Sequence, residues 1–105
     1  MRHLTPEELA AHLAAGGQPV LLDVREPWEY HQVHLPDSRL LPMGEIMQRL
    51  DELDPGAETV VICHHGVRSQ QVAHVLASRG FTRVINLKGG IDAWALTVDP
   101  AMPRY

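Results

Sequence analysis

The sequence predicts an α/β domain built on a mostly parallel sheet. Short, nearly unbroken apolar runs, such as Val20–Val24 and Thr59–Ile62, recur along the chain, and strands buried on both faces of a parallel sheet have this composition. Segments with helical spacing of apolar residues separate these runs, and such alternation is typical of α/β domains. The 105 residues are enough for one hydrophobic core and too few for two. We therefore expect a single domain over residues 1–105.

The first half of the chain contains one well-marked helix and two predicted strands. Thr5, followed by proline and two acidic residues, is a typical helix start, and Gly16 is expected to end that helix. The apolar run Val20–Val24 predicts the first strand, and residues 26–32 fit a turn of helix. A second, shorter strand is predicted over Ser38–Pro42, where the proline stops it.

The second half is predicted to contain two strands, three helical segments and a tail that packs on the body. The strands are rich in β-branched residues, and the helical segments carry apolar residues three or four positions apart. In chain order these segments are a helix over Gly44–Leu53, a strand over Thr59–Ile62, a helix over Ser69–Arg79, a strand over Arg83–Leu87, a short helix over Ile91–Trp94 and the tail Thr97–Tyr105. The site of such a sheet is expected at the carboxyl ends of its strands.

Charge and composition disfavour several classes of function. The formal net charge is -4 with histidine neutral, and no run of lysine or arginine is present, so neither nucleic acid nor a membrane surface is an expected partner. No apolar stretch approaches the roughly 20 residues that a membrane span needs, and the first residues lack the apolar core of a secretory signal. The lone cysteine, Cys63, has no partner for an internal disulfide. We therefore expect a cytoplasmic protein kept reduced.

Cys63 ends the strongest predicted strand and begins a loop that leads into a helix. A strand–loop–helix connection directs backbone N–H groups inward, and the helix N-terminus adds positive potential, so this loop is expected to bind an anion. The same donors stabilise a thiolate, Arg68 adds a permanent positive charge, and Gly66 permits a sharp turn. The alternative is that Cys63 is a small buried residue at the end of a core strand. The surrounding loop favours a reactive nucleophile.

Four motifs make this sequence similar to the rhodanese family of sulfurtransferases, and in particular to its single-domain bacterial members. The motifs are Asp23-Val24-Arg25-Glu26 with Glu29-Tyr30, then His34-Leu35-Pro36, the loop Cys63 to Arg68, and Leu87 to Trp94 with its Gly89-Gly90 pair. The resemblance implies a three-layer sandwich, with a mostly parallel central sheet of about five strands and helices on both faces.

The resemblance also implies the chemistry of the site. Cys63 would take a sulfane sulfur from a donor such as thiosulfate or a persulfide, and hold it as a persulfide. It would then pass the sulfur to cyanide or to a thiol acceptor, possibly thioredoxin-like or another protein. Arg68 would hold the oxyanion of the donor. The remaining loop residues would contribute mainly backbone donors; they are His64, His65, Gly66, Val67 and Ser69. Neither a cofactor nor a metal is implied.

Asp23 and Arg25 are expected to support the loop, most simply as a charged pair at the end of a strand; direct contact with substrate is the alternative. Two interpretations also stay open for His64 and His65. Either one orients the donor or adds charge below neutral pH, or both are exposed loop residues. A metal site formed by Cys63, these two histidines and His74 is disfavoured, because no zinc-binding spacing is matched.

Several other functions compete with an enzyme of sulfur transfer. A persulfide carrier or regulatory module serving a protein partner would need the same loop. A catalytically inactive scaffold is disfavoured, because Cys63 and Arg68 are both present. A small phosphatase or arsenate reductase is less favoured still. In the rhodanese superfamily a six-residue loop goes with sulfur and a seven-residue loop with phosphate or arsenate, and Cys63 to Arg68 spans six residues.

Overall fold

A computed structural model describes all residues, 1–105, and contains one five-stranded sheet in the order β1-β5-β4-β2-β3. Every neighbouring pair of strands is parallel. The strands are β1 (Arg2–Leu4), β2 (Val20–Asp23), β3 (Arg39–Leu40), β4 (Thr59–Ile62) and β5 (Val84–Leu87), and the helices are α1 (Pro6–Ala14), α2 (Pro27–Gln32), α3 (Val67–Ser78) and α4 (Gly90–Thr97). The predicted fold class is confirmed.

The central strand β4 contributes to a hydrophobic core on each face of the sheet. Its side chains alternate, because successive residues of a strand point to opposite faces. Val61 packs with α3 residues such as Val72 and Leu76 in one core cluster. Val60 and Ile62 pack in the other cluster, with Leu9 of α1 and residues of α4. The sheet is therefore the middle layer of a sandwich.

Most predicted elements form where the sequence places them. The predicted start of α1 is confirmed: the Thr5 hydroxyl accepts the N–H of Glu8, and the Glu8 carboxylate accepts the N–H of Thr5. This reciprocal pair satisfies two N–H groups that a helix start leaves free. The helix α3 begins at Val67 rather than at Ser69, because Gly66 adopts a left-handed conformation (φ 96°) at its N-cap.

Two parts of the chain differ from their predictions. The strand β1 has no apolar run to mark it, and it forms because it pairs with β5 at the edge of the sheet. The helix predicted over Gly44–Leu53 is wrong. Two 3-10 turns, Met43–Glu45 and Leu50–Glu52, lie there instead. They still bury Ile46, because a spacing of three residues suits a 3-10 turn as well as an α-helix.

The fold brings the carboxyl ends of β2, β4 and β5 to one edge of the sheet. Asp23 ends β2, Cys63 follows β4 directly, and β5 ends at Leu87. The loops that carry the predicted site residues leave the sheet from this edge. No helix has the combination of length and apolar composition that crossing a membrane requires.

Candidate active site

The sulfur of Cys63 is held inside a tight loop between β4 and α3. Cys63 is only 1% exposed, its Sγ accepts the backbone N–H of Gly66 at 3.0 Å, and the Ser69 Oγ lies 3.3 Å away. Gly66 has φ 96°, and a Cβ there would come within 3.0 Å of the Gly89 nitrogen. Both its backbone conformation and its surroundings therefore require glycine.

The start of α4 braces this loop from behind. The N–H of Ile91 donates to the Cys63 carbonyl at 2.9 Å, and the N–H of Asp92 donates to the His64 carbonyl at 3.1 Å. Gly90 has φ 63°, and a side chain there would collide with both carbonyl oxygens. The glycine pair of the last sequence motif thus allows α4 to approach the loop closely.

Arg68 forms an ion pair with Glu29 of α2. Its Nη1 and Nη2 donate to the two carboxylate oxygens at 2.6 and 2.8 Å. The carboxylate also accepts the N–H of Glu26 at 3.0 Å and the Tyr105 hydroxyl at 2.8 Å. These hydrogen bonds, above all those from Arg68, lower the pKa of Glu29 to about 2. The positive charge expected at Arg68 is therefore already compensated, although three of its N–H groups stay free of Glu29.

Asp23 and Arg25 form a fully buried ion pair. The Arg25 Nε donates to Asp23 at 2.9 Å and Nη2 donates to it at 2.7 Å. The other N–H groups of Arg25 donate to the carbonyls of Glu29 and Val33 and to the Tyr105 hydroxyl. All five donors of the guanidinium are thereby engaged. This geometry favours the supporting role over direct contact with substrate.

The two loop histidines have different surroundings. The His64 ring stacks on Tyr105 with centroids 4.0 Å apart, and its Nε2 is buried without a hydrogen-bond partner. Burial is the main cause that lowers the pKa of His64, so this ring is neutral at neutral pH. His65 is mostly exposed, and its Nδ1 lies 3.9 Å from a carboxylate oxygen of Asp92. Only His65 retains the surroundings of a side chain that adds charge.

The structure does not bring the histidines and Cys63 together as metal ligands. No group of three or more histidine, cysteine, aspartate or glutamate side chains has the arrangement needed to hold a metal ion. His74 is exposed on α3. The loop is therefore built around sulfur and backbone donors.

Asn86 is a site residue that the sequence analysis missed. Its Oδ1 lies 2.5 Å from the Ser69 Oγ, which in turn contacts the sulfur of Cys63. The available signal was the single polar residue within the apolar strand β5, Val84–Leu87. A polar side chain buried in a sheet needs a hydrogen-bond partner, and here the partner belongs to the loop.

An open cavity of about 390 Å³ lies beside the loop, and Gly66, Val67, Asn86 and Lys88 are among its lining residues. A larger cavity of about 540 Å³ is lined by Pro19, Leu35 and Trp94, and it contains none of the predicted site residues. The predicted site therefore coincides with the smaller and more polar of the two.

Comparison with known proteins agrees with this architecture. The family model of the rhodanese-like domain matches residues 5–97. The chain is 38% identical over 95 residues to a sulfurtransferase of Allochromatium vinosum, covering 90% of this chain and 89% of that protein. It is 42% identical over 89 residues to the rhodanese-like/PpiC domain-containing protein 12, chloroplastic, of Arabidopsis thaliana, covering 81% of this chain but only 30% of that protein.

Among solved structures, a rhodanese-like domain protein from Staphylococcus aureus superposes with a TM-score of 0.86 at 28% identity. The match covers 100% of this chain and 99% of the other. The similarity therefore includes the whole sheet and all four helices.

Proposed function

This chain belongs to the rhodanese-like domain family, and on that premise we propose that it is a sulfurtransferase that moves sulfane sulfur through a persulfide on Cys63. The observation that carries the proposal is the position of the Cys63 sulfur at the start of α3, 3.0 Å from the N–H of Gly66. Backbone donors and a helix N-terminus stabilise negative charge on sulfur. The name of the Allochromatium relative agrees with this chemistry.

The proposed reaction is a double displacement. The Cys63 thiolate attacks the outer sulfur of thiosulfate, the S–S bond of the donor breaks, and sulfite leaves with the bonding electron pair. Cys63 then carries a persulfide anion. A thiolate or cyanide attacks the outer sulfur of this persulfide, which returns Cys63 to the thiolate and releases a new persulfide or thiocyanate. Charge and atoms balance in both steps, and neither step calls for a metal or a cofactor.

The loop would hold the donor with backbone N–H groups from His64 to Ser69. Arg68 would add a charge-assisted hydrogen bond to the donor's oxyanion through the N–H groups that Glu29 leaves free. The buried pair Asp23–Arg25 would keep the end of β2 in place beneath the loop. We place the reaction in a reduced compartment such as the cytoplasm, because a thiol nucleophile has to stay free there. Residues 1–105 would act as one domain, since both core clusters share one sheet.

Mass spectrometry after incubation with thiosulfate tests the proposal. We expect the mass to rise by one sulfur atom, located on the peptide that contains Cys63, and to return to its first value after cyanide is added. The matched control is Cys63→Ser, which keeps a hydroxyl near the Gly66 N–H but is a poor nucleophile. A parent protein that gains no sulfur from either thiosulfate or a persulfide donor would contradict the proposal.

A persulfide carrier that serves a protein partner is a second candidate, and one observation favours it. The charge of Arg68 is compensated by Glu29, so the loop offers little net attraction to the dianion thiosulfate. A carrier of this kind would accept sulfur readily from an uncharged persulfide and slowly from thiosulfate, and would hand it to a thiol acceptor such as a thioredoxin-like protein. The ratio of the loading rates with the two donors decides between enzyme and carrier.

A further inference from the structure

Cys63, Ser69 and Asn86 form a buried chain of polar side chains that joins the loop to the sheet. They are 1%, 0% and 3% exposed, respectively. The sulfur lies 3.3 Å from the Ser69 Oγ, and this oxygen lies 2.5 Å from the Asn86 Oδ1. Solvent is almost excluded from these atoms, so each hydrogen bond along the chain depends on its protein neighbours.

The distances assign the direction of the bond between Ser69 and Asn86. A separation of 2.5 Å suits an O–H···O hydrogen bond and is too short for N–H···O, so the amide oxygen faces the hydroxyl. The amide nitrogen then faces the Gly66 carbonyl at 3.5 Å and the His3 Nδ1 at 3.3 Å. A carbonyl oxygen only accepts, which supports the same orientation. The hydroxyl proton of Ser69 therefore lies on the side of Asn86.

This orientation leaves only a lone pair of the Ser69 Oγ facing the sulfur. The thiol S–H of Cys63 can donate to that lone pair, while Sγ accepts the N–H of Gly66. Once the thiol proton is lost to water, the sulfur has nothing to donate. The Ser69 hydroxyl must then turn toward the sulfur, and the Asn86 Oδ1 is left buried without its partner.

We propose that Asn86 is a positioning residue that sets the direction in which the Ser69 hydroxyl donates, and thereby how readily Cys63 gives up its proton. The assignment deepens the proposed function at the same site. A Cys63 persulfide also lacks a proton on Sγ, so it requires the same rotation of the hydroxyl. Asn86 thus favours the resting thiol and the discharge of sulfur over its retention.

The other titratable groups around Cys63 come from every neighbouring element and are compensated or neutral. Arg68 is paired with Glu29, and Arg25 is paired with Asp23. The groups that complete this set are His64 in the loop, His3 on β1 and Tyr105. A substitution at Asn86 changes none of these charges, so its effect on Cys63 is separable from theirs.

The pH profile of alkylation tests the assignment. Cys63 is the only cysteine, so the rate of its reaction with iodoacetamide reports the thiolate directly. Asn86→Leu keeps a side chain of similar size and removes the acceptor. We expect the midpoint of the profile to move to lower pH by about one unit, a roughly tenfold gain in thiolate near neutral pH, because the freed hydroxyl donates to sulfur. Asn86→Ala replaces this variant if circular dichroism shows that it is unfolded.

A double-mutant cycle shows whether Asn86 acts through Ser69. In the background of Ser69→Ala, we expect Asn86→Leu to leave the midpoint unchanged, and Ile85→Val on the same strand serves as a control that moves it in neither background. An unchanged or higher midpoint in Asn86→Leu would overturn the assignment, and so would an equal fall without Ser69. Persulfide loading by thiosulfate is measured separately. A parent that fails to load would contradict the proposed function and leave the alkylation result to decide the role of Asn86.

Discussion

Cys63 receives its contacts from residues that lie far apart in the sequence. The N–H of Gly66 and the hydroxyl of Ser69 face its sulfur, and the N–H of Ile91 holds its carbonyl. The side chain is thereby fixed before any substrate arrives. Positioning a nucleophile in advance lowers the entropic cost of the reaction.

Replacement of the nucleophile is the first prediction at the scale of residues. Cys63→Ser is expected to abolish sulfur transfer to cyanide while the far-UV circular dichroism and the melting temperature stay close to those of the parent, because a serine hydroxyl is a far weaker nucleophile at neutral pH. Activity within a few-fold of the parent would contradict a persulfide on Cys63.

Arg68→Ala should reduce the use of thiosulfate more than the use of an uncharged persulfide donor. A charge-assisted hydrogen bond contributes roughly 1.5–3 kcal/mol, so we expect kcat/KM for thiosulfate to fall by about tenfold to a hundredfold. The substitution also leaves the buried Glu29 carboxylate without its ion pair. The double variant Arg68→Ala, Glu29→Gln removes that charge and serves as the matched control. Equal losses with both donors would mean that Arg68 only shapes the loop.

At the scale of elements, the loop is short because α3 begins directly after Gly66. The left-handed conformation of Gly66 reverses the chain and places Arg68 in the first turn of the helix. Gly90 lets α4 come close enough to donate to the loop carbonyls. The number of residues between Cys63 and the helix therefore determines how many backbone N–H groups can reach the sulfur.

One added residue in this loop tests whether its length selects for sulfur. Insertion of a glycine between His64 and His65 widens the loop to seven residues and moves the Gly66 N–H away from the sulfur. Because a hydrogen bond weakens steeply beyond its normal distance, we expect most of the sulfur transfer to be lost. Weak hydrolysis of an aryl phosphate is a secondary expectation, since no general acid for the leaving group is evident.

The matched control is a glycine inserted between Gly16 and Gly17, in the exposed turn after α1, where a Cβ on Gly16 would meet no atom within 4 Å. This variant should transfer sulfur at the rate of the parent. If the loop insertion folds and also keeps the rate of the parent, loop length is not the selector. The case against a phosphatase would then depend on family membership alone.

At the scale of the whole molecule, the Glu29–Arg68 ion pair connects α2 to α3 across the site. Tyr105, near the last turn of the tail, adds a hydrogen bond to the same carboxylate and stacks on His64. The predicted packing of the tail on the body is confirmed by these contacts. The tail, both helices and the loop are thus linked through one buried carboxylate.

This ion pair predicts how stability depends on acid. The pKa of Glu29 is lowered from 4.5 to about 2 in the folded protein. The stabilisation is therefore fully present above pH 4.5 and is lost as the pH falls toward 2, with a total of up to about 3 kcal/mol. Urea unfolding at about pH 7 and pH 3 should show this loss in the parent, and a smaller loss in Glu29→Gln. An equal loss in both proteins would assign the acid sensitivity to other carboxylates.

Local sequence patterns determined the α/β class, the strands β2, β4 and β5, and the loop that begins at Cys63. They did so because a buried strand needs an apolar run, a helix start needs a capping residue, and a sharp turn needs glycine. Each of these requirements acts over a few residues, so it can be read without knowing the partner. The family motifs added the expectation of sulfur chemistry for the same reason.

Only the tertiary structure decided which groups meet at the site. Arg68 finds Glu29 across 39 positions of sequence, and Ser69 finds Asn86 across 17. The strand β1 exists because β5 offers it an edge to pair with, and the two 3-10 turns replace a predicted helix because either geometry buries Ile46. Partners of this kind are brought together by packing of the sheet, and no local pattern in either segment specifies the other.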